Sequence, residues 1–410
     1  MAVVKPFSCV RPDAGLASRV AALPYDVYDR AEAKIEVNRE PLSFLAIDRA
    51  ETQFDDSVDM YSPQVYNKAK DLFEARVADK TFITDQDKTY YIYALTMDGR
   101  TQTGLVACAS IDDYLNNVIK KHENTRAEKE VDRIKHVDTL SAQTGPIFLA
   151  YRADEVITGA VNSTKESPCL YDFVSPDGIR HQVWKMTDES MVSDVAKAFE
   201  SIDSIYIADG HHRAASAVKV GLKRREENPG FTGDEEFNFF LAVLFPDEEL
   251  KILPYNRVVK DLNGLSKEAF LSKVEDNFEL SMSDVPVSPD KKGTYGMFLD
   301  NTWYLLKAKG KILSDDAVDG LDVVVLQNSL LEPVLGITDP KTDKRIDFVG
   351  GIRGLKELER RCSLDCVVAF SMYPTSISEL FAVSDNNRLM PPKSTWFEPK
   401  LRSGLFIHRI

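Results

Sequence analysis

Apolar residues recur along this chain at two spacings, and the spacing changes where Gly, Pro and Asp-Gly punctuate it. Near the N-terminus a short strand around Phe7 to Pro12 leads through a loop to Pro24 and a helix over about residues 29–38. The run from Pro41 to Asp48 is a strand candidate. Val65, Ala69, Leu72, Phe73 and Arg76 then fall three and four apart, which predicts a helix over 64–78. Residues 89–95 and 101–110 are rich in β-formers and flank Asp98-Gly99, a hairpin signal; a helix over 111–121 follows. The stretch 146–187 reads as short strands and loops, with 146–151 and 181–185 as its β candidates. A helix over 188–201, a strand over 204–208, a helix over 211–225 and the almost wholly apolar run 237–245 come next. Such a run is expected of a strand covered on both faces.

Beyond about Val259 the texture shifts to an amphipathic helix over 267–278 and short alternating strands at 297–299 and 303–306. Further on lie an apolar helix over 322–335, strands at 347–351 and 366–372, and helices over 355–362 and 376–384. The pattern predicts a mixed α/β (α+β) fold in three parts. These are a main domain over 1–258, a small α+β insertion over 259–320, and a C-terminal part over 321–410 that returns to the main domain.

With 43% hydrophobic and 28% charged residues, 410 residues can bury a large core. The formal charge of -14 gives no broad basic surface, so neither nucleic acid nor anionic lipid is an expected partner. No apolar run approaches the ~20 residues of a membrane span, and the N-terminus lacks a signal-peptide layout, so a cytoplasmic location is expected. A homodimer is compatible with these features. Five scattered cysteines fit reduced thiols. Cys362 and Cys366 form the closest pair but lack a second pair or a nearby His to complete a metal site.

Chemistry concentrates in three segments. Asp209-Gly-His-His-Arg213 follows a strand and opens a helix of small residues, where open α/β sheets bind ligands. Gly210 permits close backbone approach and the helix start favours an anion. Arg213 suits a bidentate phosphate grip, while His211 and His212 suit donation or proton transfer. Against this stands a reading in which Asp209 only caps the helix. In Lys121-His-Glu-Asn-Thr125, continued by Lys129, Asp132 and Arg133, His122 and Glu123 are candidate acid–base groups and Thr125 and Arg133 candidate substrate contacts; a solvated helix face is the bland alternative. In the loop from Pro391 to Phe397, Lys393, Ser394 and Thr395 are candidate phosphate contacts, with a proline-ordered loop as the alternative. Asp26 is a further acid. Asp209 and Glu123 are the carboxylates placed to hold a phosphate-bound Mg2+. Gly350-Gly-Ile-Arg-Gly354 fits no phosphate-binding fingerprint.

Arg11-Pro12, Leu23-Pro-Tyr-Asp-Val27, Pro41-Leu-Ser-Phe44, His122-Glu-x-Thr125 with Asp132-Arg133, the Asp209–Arg213 box and Met390-Pro-Pro-Lys-Ser-Thr395 together resemble the bacterial and archaeal family called domain of unknown function 1015. The box also resembles the nucleotide-binding box of the ParB/sulfiredoxin superfamily, which includes CTP-binding partition proteins, sulfiredoxin and free-serine kinases. That likeness implies a ParB/sulfiredoxin-like mixed-sheet core in which Gly210, His211, His212 and Arg213 hold the phosphates of ATP or ADP. The chain departs from sulfiredoxin in having His211 where that enzyme carries its thiol, and from partition proteins in lacking a basic helix-turn-helix. What the resemblance leaves is a phosphotransferase or phosphohydrolase acting on serine, phosphoserine or a similar metabolite, or else a nucleotide-binding switch without turnover.

Overall fold

The apolar run becomes the inner strand Phe239–Pro246, buried along nearly its whole length. It pairs in parallel with Ile147–Tyr151 and antiparallel with Arg100–Ser110, so backbone bonds are satisfied on both sides. The latter strand admits no side chain at Gly104. A Cβ there would stand 2.7 Å from Val243 and 2.8 Å from Phe245.

The computed structural model describes residues 1–125 and 127–410, which fall into two units, Met1–Leu250 with Pro399–Ile410, and Lys251–Glu398. Among the described residues the first unit contains a nine-stranded mixed sheet. Its order is Ile119–Lys120, Ile205–Asp209, Ile147–Tyr151, Phe239–Pro246, Arg100–Ser110, Tyr91–Met97, Arg180–Lys185 and Tyr171–Val174, with Val4–Lys5 also on Arg100–Ser110. Ile157, Phe199, Ala214 and Val218 from three helices join Ile205, Ile207 and Leu244 of the sheet in one core cluster. A four-stranded sheet brings the C-terminal strand Ile407–Arg409 between Cys9–Pro12 and Ala142–Gln143. The second unit is built on a six-stranded antiparallel sheet with its own core around Phe270, Tyr295, Leu330 and Phe370. The fold is mixed α/β.

Several elements differ from the sequence reading. Within the run 41–48, Leu45–Asp48 is a wholly buried helical turn rather than a strand, because a short apolar run carries no period to tell the two apart. The helix expected over 111–121 stops at Leu115; Asn117 takes a left-handed φ of 59° and the chain re-enters the sheet as Ile119–Lys120. Residues 146–187 include the helix Glu155–Lys165, started by Asp154, whose carboxylate accepts from the amides of Val156 and Ile157. Asp132 and Arg133 stand inside a further helix, Ala127–Leu140, that the sequence reading did not assign. The helix over 322–335 is an α-turn, Asp322–Leu326, continued as the π-helical turn Gln327–Leu331.

Candidate functional site

Strand Ile205–Asp209 runs antiparallel to Ile147–Tyr151, and the ladder is irregular between Ile207 and Asp209, where the chain bends out of the sheet. Gly210 then turns with φ 95° and ψ 30°, a left-handed conformation in which a side chain would be strained, and opens the 17-residue helix His211–Glu227. Gly210, at the N-cap, has no side chain of its own to cap that helix start, and a helix start favours an anion. Arg213 folds back over the turn. A Cβ on Gly210 would lie 3.0–3.1 Å from its guanidinium.

The Arg213 side chain, 15% exposed, donates from Nη1 to the Pro146 carbonyl at 2.6 Å, and its Nη2 lies 3.5 Å from Asp209 Oδ2. Lys400 Nζ lies 3.5 Å from the same oxygen. Burial would raise the Asp209 carboxyl, but Lys400 and Arg213 outweigh it and hold the group down at about 2. Asp209 is therefore a fixed anion at neutral pH and a poor base. Two cations around one carboxylate leave the corner positive. Lys400 belongs to the C-terminal segment that rejoins this unit, and no local pattern marks it.

Strand Ile119–Lys120 runs parallel to the box strand, Ile119 beside Ile205 and Lys120 beside Tyr206, so the chain leaves both strands at the same end of the sheet. This brings His122 onto the box. Its backbone amide donates to His211 Nε2 at 3.4 Å, and the two rings meet edge to face with centroids 4.4 Å apart. His122 is 1% exposed, and neither ring nitrogen has a hydrogen-bond partner of normal geometry among the described residues. Burial pushes its imidazole down to about 4, and burial with the neighbouring His122 pushes His211 well below its ordinary range. Both rings are neutral at physiological pH. The positive charge at this corner is that of Arg213 and Lys400, because a buried imidazole beside a second one cannot hold a proton cheaply. Thr125 donates its hydroxyl to Glu130, which also takes Lys219 and feels His212. Glu123 is half-buried on the same loop. The side chain of Lys129 lies outside the described residues.

These imidazoles set a pH dependence. His122, His211 and the fully buried His181 of strand Arg180–Lys185, pushed down to about 3 by burial and Arg402, stay unprotonated where unfolded histidines take up protons. Folding stability should thus be complete above about pH 6.5 and fall as pH drops toward 4, by about 1.4 kcal/mol per pH unit for each histidine. Urea unfolding as a function of pH reads this, and His122→Leu should remove about one proton from the slope between pH 4.5 and 6.5; an unchanged slope would contradict it.

Helix Ala127–Leu140 carries Asp132, Arg133 and His136 into a cavity of about 190 Å3 that Tyr25, Asp48 and Glu51 also line. Arg133, 8% exposed, donates from Nε to Asp132 at 2.8 Å and lies 3.9 Å over the Tyr25 ring. Tyr66 donates its hydroxyl to Asp132 at 2.9 Å. Asp48 accepts from Thr144 Oγ1 at 2.9 Å and lies 3.4 Å from His136 Nε2. Burial alone would raise its carboxyl, but His136, Arg133 and Thr144 keep it below its usual range. Arg49 pairs with Glu51 and donates to the carbonyls of Tyr25 and Tyr28, tying the exposed Asp26 turn to this wall. The ionic lining comprises four carboxylates, Asp26, Asp48, Glu51 and Asp132, and two guanidiniums, Arg49 and Arg133. A narrower void of about 30 Å3, lined by Arg213 and Ser403, shares Tyr25, Asp48, Arg133 and His136 with this cavity. The acid-lined cavity and the Arg213 guanidinium are thereby neighbours. No local sequence signal marks Asp48, Arg49, Glu51, His136 or Lys400 as a site residue.

A family model described as "Protein of unknown function (DUF1015)" matches residues 4–324. This chain belongs to that family. The match covers the box, the Lys121–Thr125 loop and the cavity helix, whereas Met390–Thr395 and Lys400 lie beyond it. No curated protein sequence matches. Among solved structures, a free serine kinase mutant in complex with ADP is 11% identical, over 74% of this chain and 93% of its own, at a TM-score of 0.34. SbnI with a C-terminal truncation from Staphylococcus aureus is 13% identical, over 74% and 87%, at 0.38, and a conserved hypothetical protein from Pyrococcus furiosus is 13% identical, over 74% and 95%, at 0.34. Likeness at that level carries no residue roles across.

Of the remaining expected contacts, Lys393, Ser394 and Thr395 belong to the second unit. There Ser394 Oγ donates to the Pro391 carbonyl at 2.6 Å and Lys393 Nζ stands 5.6 Å from the Tyr255 ring centre. Cys362 and Cys366 are free thiols raised by burial. Among the described residues no group of three or more His, Cys, Asp or Glu is placed to hold a metal ion, and no helix is long and apolar enough to cross a membrane.

Proposed function

We propose that the first unit is a phosphotransferase or phosphohydrolase. It would hold a phosphate-bearing ligand, ATP or ADP foremost, at the Gly210–Arg213 corner, and a small hydroxylated, amine-bearing metabolite such as serine or phosphoserine in the adjoining cavity. The observation that supports this most is the placement of the net-positive helix start, with Arg213 and Lys400 about Asp209, beside an acid-rich cavity through the shared residues Tyr25, Asp48, Arg133 and His136. Cations and a helix start suit phosphoryl oxygens, while carboxylates in excess suit an ammonium group. The cavity volume falls below the ~300–1,000 Å3 of drug-sized ligand sites, which favours a small acceptor.

In the transfer direction, the acceptor hydroxyl oxygen bonds to the γ-phosphorus, its proton passes to Glu123, and the β–γ bridging oxygen leaves with its electron pair as ADP. Arg213 and the helix amides would steady the charge on the phosphoryl oxygens, with His212 at the same helix start and the buried His122 behind it against His211. Asp26, Thr125 and Arg133 would contact the acceptor. Asp209 and Glu123 would be the carboxylates to hold a phosphate-bound Mg2+, which would neutralise charge on the phosphates. With Asp209 already committed to two cations, phosphate and water would have to supply most of that ion's coordination.

A second reading is a nucleotide-binding switch without turnover, favoured by the low pKa of Asp209 and the neutral His122 and His211, which serve binding better than proton transfer. Thermal-shift titration with ADP, ATP and adenosine, followed by phosphorus NMR with ATP and serine, separates the two. Stabilisation by ADP but not adenosine together with phosphoserine formation supports the enzyme, stabilisation without product supports the switch, and no stabilisation by either nucleotide overturns both.

A further inference from the structure

The second unit contains a guanidinium without a counter-ion among the described residues. Arg257 sits on strand Tyr255–Val259, between Ile346–Gly350 and Val368–Met372, and is 4% exposed. Its Nη1 donates to the Tyr255 carbonyl and its Nη2 to the Lys393 carbonyl at 3.2 Å, while the Phe348 ring centre lies 5.5 Å away. Backbone oxygens and a ring face satisfy donors but leave a whole charge uncompensated. Burial lowers this guanidinium to about 10. An isolated buried charge costs several kcal/mol, a cost that a bound anion offsets.

Arg257 lines a cavity of about 310 Å3 whose other walls include Val323, Val324, Leu331, Phe348 and Gln327. Asp319 also lies on its wall, but it is exposed and 4.0 Å from Arg388. Gln327 opens the π-helical turn Gln327–Leu331, a distortion common at functional sites. Its Nε2 donates to the Ile337 carbonyl at 2.6 Å, while its buried Oε1 has no partner among the described residues. The cavity thus has one buried guanidinium, Gln327 with an unmet acceptor on its lining, and walls that are otherwise apolar apart from Asp319 and Asn328.

We propose that this cavity binds a small monocarboxylate with an apolar body and one hydrogen-bond donor, the carboxylate pairing with Arg257 and the donor meeting Gln327 Oε1. A single guanidinium balances a monoanion, whereas a phosphate dianion would bring an uncompensated charge among valines and prolines. The site is independent of the reaction proposed for the first unit.

Calorimetric titration of the intact chain tests this with 2-hydroxy-3-methylbutanoate, the corresponding neutral amide, 3-methylbutanoate and inorganic phosphate. The hydroxy acid should bind saturably. The amide should bind roughly 30-fold more weakly or not at all, the acid lacking the hydroxyl should be weaker, and phosphate should not compete. Arg257→Met, which removes the charge, should abolish binding. Val324→Phe, which fills the cavity, should abolish binding too and keeps the test decisive if the arginine variant fails to fold. Equal binding of acid and amide, displacement by phosphate, unchanged binding in the Val324→Phe chain, or no binding at millimolar concentration would overturn the proposal.

Discussion

Replacing Arg213 with methionine should weaken ADP binding by roughly 30- to 1,000-fold, the range expected when one partner of a buried charged contact is truncated. The guanidinium is the only cation that touches both the Gly210 turn and the void leading to the cavity among the described residues. Methionine keeps much of the length and apolar body but supplies no donor. The Pro146 carbonyl would lose its 2.6 Å partner and Asp209 one of its two cations, so stability should also drop, by about 1–3 kcal/mol. Arg213→Lys should not restore binding, because an ammonium cannot serve the carbonyl, the carboxylate and a phosphate at once. Calorimetry with ADP on chains shown to be folded checks this. An affinity within threefold of the parent chain would remove Arg213 from the phosphate site.

Asp48→Asn should produce the second large effect, on the acceptor alone. With serine as acceptor, kcat/KM should fall by roughly 30-fold or more, while affinity for ADP stays unchanged. Asp48 is a buried carboxylate facing both voids, held ionised by His136, Arg133 and Thr144, and asparagine keeps the hydrogen bond from Thr144 while removing the charge that would meet an ammonium group. Steady-state kinetics beside ADP titration reads the two effects separately. Equal losses in both would mean that Asp48 supports the fold of the site rather than the acceptor.

How much of this is legible in the sequence depends on how far apart the cooperating residues lie in the chain. The box can be read because strand alternation, the turn glycine, Arg213 and the small-residue helix are contiguous, and the mixed α/β class follows from the same local periodicities. The meeting of His122 with His211 cannot, because it rests on a two-residue parallel pairing of Ile119–Lys120 with Ile205 and Tyr206, too short to announce itself as a strand. Asp48 ends an apolar run whose pattern suits a strand as well as a helix. Only its burial in a helical turn, facing the same cavity as the helix Ala127–Leu140, turns it into a cavity wall. Lys400 reaches Asp209 from almost 200 residues away along the chain. Site chemistry carried by one segment is visible in one dimension, whereas chemistry assembled from opposing elements is not.

A crystal structure of the intact chain with ADP would decide whether the Gly210–Arg213 corner holds phosphate. Phosphate oxygens are expected within about 3 Å of the first amides of helix His211–Glu227 and of the Arg213 guanidinium, with the open side of the phosphates toward the Asp48 cavity. Phosphates bound elsewhere, or a box left empty at saturating ADP with Arg213 still engaged only by Pro146 and Asp209, would contradict it.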